Sequence, residues 1–153
     1  PPWDQLRGHY GRRGKDNRTD SGRNPVTILQ QDFTREAIMN SPITTHVLDT
    51  AQGCPAKNIH AVLEVLSETE TWETVGEGTT DADGRINGLL PADAPLSPGT
   101  YCLTFDVTPY FQSQDVDSFY SSIPIVFTIN NPDQHYHIPL LLSPFGYSTY
   151  RGS

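Results

Sequence analysis

Three separated points of the chain carry side chains suited to chemistry at neutral pH. They are His46, directly after two threonines; Arg85, directly after Asp83-Gly84; and a closing group that runs from His135-Tyr136-His137 to Tyr150-Arg151-Gly152-Ser153. An imidazole exchanges protons near neutral pH. A guanidinium presents a planar fork of donors to carbonyl or anionic oxygens. Taken singly, each point has a plain structural alternative: a lone strand histidine is usually a satisfied side chain, and an arginine after a tight turn is by default a solvated cation. The closing group is the most informative. Termini usually fray, yet here an apolar run leads straight into an aromatic, a cation and a serine. That predicts a segment held in place, with ionisable groups on a rigid element where a site needs them.

The remaining chemistry-bearing residues suggest little. Two histidines without a third ligand do not make a zinc site, and no HxxxH or CxxC spacing occurs, so no metal is expected. No phosphate-binding glycine loop and no GxSxG elbow is present. Cys54 lies in Gly53-Cys54-Pro55 and reads as a small turn residue. With Cys102 it makes two cysteines, too few for a disulfide framework and read as free thiols of a reducing compartment. His9 falls in a polar tail, His60 reads as a structural strand histidine, and His135 reads as a support beside His137.

Charge divides the chain. Residues 1–40 hold seven Lys/Arg against five Asp/Glu, a net of +2, whereas residues 41–153 hold three cations (Lys57, Arg85, Arg151) against thirteen acids, a net of -10. So acidic a domain has no electrostatic footprint for nucleic acid. No apolar run approaches a membrane span, and no cation–apolar–small-residue signal pattern is seen. An anionic ligand would need a local positive pocket, which Arg85 and Arg151 are the only arginines of this stretch able to form.

Two regions follow. Residues 1–40 are polar, rich in Gly and Arg and without periodicity, which predicts a disordered extension. A short helix over Asp32–Met39 is the one element read there. Asn17-Arg18-Thr19 matches a glycosylation acceptor by chance, and Met39, the only methionine, is read as a candidate natural start. Residues 41–153 form one domain of short strands separated by turn residues: Thr44–Asp49, Ile59–Leu66, Thr71–Thr79, Gly99–Val107, Ile123–Ile129, Tyr136–Leu142 and Tyr147–Tyr150. Tyr101, Leu103, Phe105 and Val107 alternate with Thr100, Cys102, Thr104 and Asp106, and Ile123, Ile125, Phe127 and Ile129 repeat the pattern. Asp83-Gly84, Ser97-Pro98-Gly99 and Asn131-Pro132-Asp133 supply turns, and Pro109–Tyr120 has room for one short helix. The expectation is an all-β sandwich of seven to eight strands with one short helix. In it His137 faces away from Tyr136, Ile138 and Leu140. Pro139 argues for an edge or non-pairing position.

Three blocks taken together carry a resemblance. His46–Ala56 (HVLDTAQGCPA), Asp83–Leu89 (DGRINGL) and His135–Ser153 (HYHIPLLLSPFGYSTYRGS) resemble the signature blocks of 5-hydroxyisourate hydrolase, the enzyme of the transthyretin-related family. The resemblance runs from Ser41 to Ser153 and leaves the first forty residues unmatched. It implies a transthyretin-like sandwich, a homotetramer built as a dimer of dimers with sites in channels between the dimers, and a peroxisomal or cytosolic setting. It implies no metal or other cofactor. Transthyretin, a thyroid-hormone carrier of the same fold, is the alternative. Its pattern lacks counterparts of His46, Arg85, His137 and the terminal Tyr-Arg-Gly-Ser, so the likeness is to the enzyme.

The implied reaction is water attack on a ring carbonyl of 5-hydroxyisourate in urate breakdown, followed by C–N cleavage. Such a reaction needs a base near neutral pH and a cation for the developing oxyanion. The expected catalytic set is His46, Arg85 and His137, with Ser148, Tyr150, Arg151 and Ser153 holding the substrate. Which histidine is the base stays open at this level.

Overall fold

The computed structural model describes residues 41–91 and 93–152. The expectations for residues 1–40, including the Asp32–Met39 helix and the start at Met39, lie outside the described residues, as does Ser153. In chain order the elements are β1 (Ile43–Asp49), β2 (Cys54–Pro55), β3 (His60–Leu66), β4 (Trp72–Thr79), β5 (Arg85–Ile86), β6 (Gly99–Asp106), α1 (Thr108–Gln112), β7 (Ser122–Ile129), β8 (Tyr136–Ser143) and β9 (Gly146–Thr149). The seven longer strands are those the alternation predicts, to within a residue or two at each end. β2 and β5 are two residues each, too short for any periodicity to reveal.

The strands form two sheets. One runs β2-β1-β8-β9, with β5 also on β1, and the other runs β4-β3-β6-β7. Alternation decides what lies between them. Ile43, Val47, Ile138, Leu140 and Leu142 from the first sheet meet Ala61, Leu63, Leu103, Phe105, Ile123 and Ile129 from the second, all buried. Fully burying a side chain of this size stabilises by about 1.5–3 kcal/mol relative to exposing it. Pro109 starts α1, where its fixed φ suits a first helical turn. The helix buries Tyr110 and Phe111, and Tyr110 donates its hydroxyl to Asp49 Oδ2 at 2.8 Å. Burial, and then that carboxylate partner, push the Tyr110 phenol up to about 12. Asp49 Oδ1 also accepts from the backbone N–H groups of Ala51 and Gln52 at 2.9 and 3.0 Å, so this buried acid is well satisfied at the end of β1.

Of the two positions open to Pro139, the structure takes the non-pairing one: β8 is not an edge, since it pairs with β1 on one side and β9 on the other. Its missing N–H is tolerated because the β9 ladder spans only Leu140 to Ser143 and then resumes as an isolated bridge between His137 and Gly152. Pro139 sits in that gap. Cys102 lies on the face opposite Tyr101 and Leu103 and is still only 6% exposed, because β6 lies inside its sheet with Glu64 and Val126 directly across from it. Cys54 and Cys102 are both free thiols.

The turn before β5 decides where Arg85 goes. Asp81 Oδ1 accepts from the backbone N–H groups of both Asp83 and Arg85 at 2.9 Å, a side-chain mimic of a backbone turn. Gly84 has φ +71, and a Cβ there would overlap the Val47 carbonyl oxygen, which lies on β1. Close approach and the left-handed backbone together demand glycine. Gly84→Ala is expected to destabilise the domain by about 1–3 kcal/mol, read as a lower midpoint in chemical denaturation. An unchanged midpoint would show that the turn is free to relax.

Candidate active site

β1 buries every second residue from Ile43 to Asp49, which leaves Thr44, His46 and Leu48 on the outer face of the sheet. Its two neighbours complete the site by register. On one side the antiparallel pairing sets His46 directly opposite Arg85. On the other the parallel pairing sets Thr44 opposite His137 and His46 opposite Pro139. Directly paired residues have Cβ atoms about 4.5–5.5 Å apart on the same face. His46, Arg85 and His137 therefore share one outer face, around a strand that carries the first of them.

Electrostatics ties the three together. The His46 pKa is lowered below the ordinary imidazole value, first by burial and then by the Arg85 charge, while the Asp83 backbone and the Asp81 and Asp83 charges pull the other way. The His137 pKa is also lowered, first by burial and then by Arg85, His135 and His46, against a hydrogen bond to the Thr44 backbone. Both imidazoles are thus held neutral at pH 7 and able to accept a proton. His46 Nε2 is buried and, among the described residues, is the buried side-chain nitrogen or oxygen left without a hydrogen-bond partner. An orphaned polar atom of this kind costs about 1–3 kcal/mol and asks for a reason.

His137 is held from two sides. Its Nδ1 lies 3.0 Å from Thr44 Oγ1. The Gly152 N–H donates to its carbonyl at 2.9 Å, and a Cβ on Gly152 would overlap the imidazole ring. The β8–β9 register also sorts the closing residues. Ser148 faces Leu141 and shares the outer face, whereas Thr149 faces the inward Leu140. Continuing that alternation, Tyr150 turns outward and Arg151 inward. Tyr150 is 58% exposed. The Arg151 guanidinium lies 5.4 Å above the Tyr136 ring and donates to Gln134 Oε1 at 2.9 Å. Arg151 is therefore at the rim between the sheets, apart from His46 and Arg85. A cavity of about 430 Å³ opens at that rim, lined by Tyr136, Tyr150, Arg151 and the backbone-paired His137, but not by His46 or Arg85.

His60 is half exposed, 3.8 Å from Glu77, and plays no part here. Sequence reasoning missed Thr44, Asp81 and Gly152. The Asp-x-Asp-Gly spacing at 81–84 was a legible turn signal. Thr44 was visible only as the outward neighbour of His46, since its partner across the sheet depends on register. No cluster of potential metal ligands occurs among the described residues, and no helix among them is long and apolar enough to cross a membrane.

The chain is similar to known proteins over this domain. A family model described as the HIUase/Transthyretin family matches residues 43–152. The 5-hydroxyisourate hydrolase of Mus musculus is 45% identical over 76% of this chain and 99% of its own length. A crystal structure of (S)-allantoin synthase is 44% identical with a TM-score of 0.66 over 72% of this chain, which spans 43% of that longer one. Sea bream transthyretin in complex with thyroxine is 30% identical with a TM-score of 0.68, over 73% of this chain and 95% of that one.

If burial and Arg85 set both histidines, their NMR titration midpoints fall below 6.5, and Arg85→Ala moves both upward. Midpoints at or above 6.5 in the unmodified protein would contradict the site's electrostatics.

Proposed function

The chain belongs to the HIUase/transthyretin family, and from that premise we propose that it hydrolyses 5-hydroxyisourate to 2-oxo-4-hydroxy-4-carboxy-5-ureidoimidazoline in urate degradation. The observation that carries the reading is the convergence of His46, Arg85 and His137 on one sheet face, with both imidazoles held neutral at pH 7. A carrier of an apolar ligand has no use for two proton acceptors and a guanidinium gathered in this way.

The proposed mechanism follows from what each group can do. One imidazole takes a proton from water as it attacks the ring carbonyl. Arg85 faces the oxyanion that develops on the former carbonyl oxygen, where a well-aimed donor is worth about 10²–10³ in rate. The tetrahedral intermediate collapses with cleavage of the C–N bond, and a protonated imidazole returns the proton to the departing nitrogen. Ser148 and Tyr150, on the same outer face, offer hydroxyls to the ring edges. Arg151 would have to leave Gln134 to reach the same face.

An open sheet face leaves the reacting groups wet. We propose that a homotetramer, a dimer of dimers, walls the site as a channel. In support, the single chain leaves Phe119 76% and Phe145 73% exposed, more than a monomer's surface needs.

The test is the ultraviolet decay of freshly generated 5-hydroxyisourate. The protein should accelerate it, and His46→Ala, Arg85→Ala and His137→Ala should each cut turnover by roughly tens of fold or more with the fold intact. Near-normal rates in any of these would remove that residue from the mechanism. Because a base must be deprotonated and both pKa values are lowered, kcat/KM should hold its plateau at neutral pH and fall only on acidification below 6.5. Light scattering should give four chain masses.

A further inference from the structure

We propose that Thr44 and His135 are positioning residues that fix the tautomer of His137, so that its Nε2 carries the free lone pair. The inference rests on the reading of His137 as a proton-transfer group and names the atom that does the work. It starts from an unbroken row of hydrogen bonds. The Ser41 carbonyl oxygen lies 3.2 Å from His135 Nδ1, His135 Nε2 lies 3.0 Å from Thr44 Oγ1, and Thr44 Oγ1 lies 3.0 Å from His137 Nδ1.

Proton bookkeeping gives the row one direction. A carbonyl only accepts, so His135 Nδ1 carries the hydrogen. In a neutral imidazole the other nitrogen then accepts, so His135 Nε2 takes the single hydroxyl hydrogen of Thr44. The Thr44 oxygen has nothing left to donate to His137 and accepts from its Nδ1–H. That leaves His137 Nε2 unprotonated and free to act as a base. The Thr44 backbone independently acts on His137 in the sense of an acceptor, favouring a proton on the ring.

None of this needs a new contact with substrate. Thr44 pairs with His137 across the parallel ladder, and Ser41 is buried at 1% exposure, donating its own hydroxyl to the Ile43 carbonyl at 2.8 Å. The row is therefore anchored at both ends by backbone whose position the sandwich fixes.

The test is the full chain, labelled with ¹⁵N, in long-range ¹H–¹⁵N spectra of its imidazoles at pH 8. The expected spectrum has His137 protonated at Nδ1 and bare at Nε2. Thr44→Val should give a mixture of tautomers and lower kcat/KM by about tenfold or more, within the range a general base supplies. Thr44→Ser, which keeps the hydroxyl, should restore both. His135→Ala should also mix the tautomers. A wild-type spectrum with the proton on Nε2 overturns the proposal, as does a Thr44→Val protein with unchanged tautomer and pH profile. Should Thr44→Val fail to fold, the wild-type spectrum and Thr44→Ser still decide. A correct tautomer in a protein that does not accelerate 5-hydroxyisourate decay would keep the row of hydrogen bonds and sink the hydrolase reading.

Discussion

Everything at the site depends on the parallel pairing of β1 with β8. The other pairings in the described sandwich are antiparallel, which local turns can make, but parallel neighbours need a long crossover. Here the connection from Asp49 to Tyr136 runs through β2 to β7 and so through the whole second sheet. The register it delivers is strict. A slip of one residue would turn Ile43, Val47 and Leu140 outward and bury the histidine face. Core packing therefore selects the alignment that sets Thr44 against His137 and His46 beside Arg85. The candidate site is carried by the polar half of the alternating strands, while the apolar half enforces where it lies.

Charge explains why so few cations suffice. In residues 41–153, with a net of -10, an isolated guanidinium on a shallow face would be only a weak lure for an anion at physiological salt. Arg85 does more because it lies opposite His46, where burial has already disfavoured the charged imidazole. Each unit by which a pKa falls corresponds to about 1.4 kcal/mol against protonation. Burial and a like charge thus act in the same direction on His46 and on His137, and both rest as neutral bases. Asp81 could have cancelled this by pairing with Arg85. Its Oδ1 is instead committed to backbone N–H groups, so it shapes the turn that carries the arginine.

Much of this was legible before any coordinates. Strands such as Gly99–Asp106 and Ser122–Ile129 follow from alternation, because a half-buried strand must obey a period of two. The short helix follows from Pro109 and its apolar neighbours. The three blocks at His46, Asp83 and His135 carry the family. What the sequence hid is of one kind: facts about which strand lies next to which. Thr44 looks like any outward threonine until β8 is laid alongside it. Pro139 argues for an edge or a non-pairing position, and only the gap in the β9 ladder shows that it is the second, on an interior strand. Gly152 offered no turn signal, since its reason is the His137 ring against its Cα.

The closing residues illustrate how finely the period of two sorts function. Tyr150 and Arg151 are adjacent, yet continuing the β9 alternation sends them to opposite sides of one sheet. Tyr150 turns toward the histidine face, while Arg151 folds over Tyr136 at the rim and bonds Gln134. That inward arginine has a mechanical consequence. It ties the last segment to the loop before β8 and so keeps Gly152 against His137, where the backbone bond of 2.9 Å closes the bridge. A cation that lies away from the other ionisable groups can in this way still govern them, by fixing the backbone that holds the imidazole in place. The same sandwich serves a thyroxine-binding protein among its structural relatives. A shared fold therefore leaves the function of this face to its outward side chains, which here include His46, Arg85 and His137.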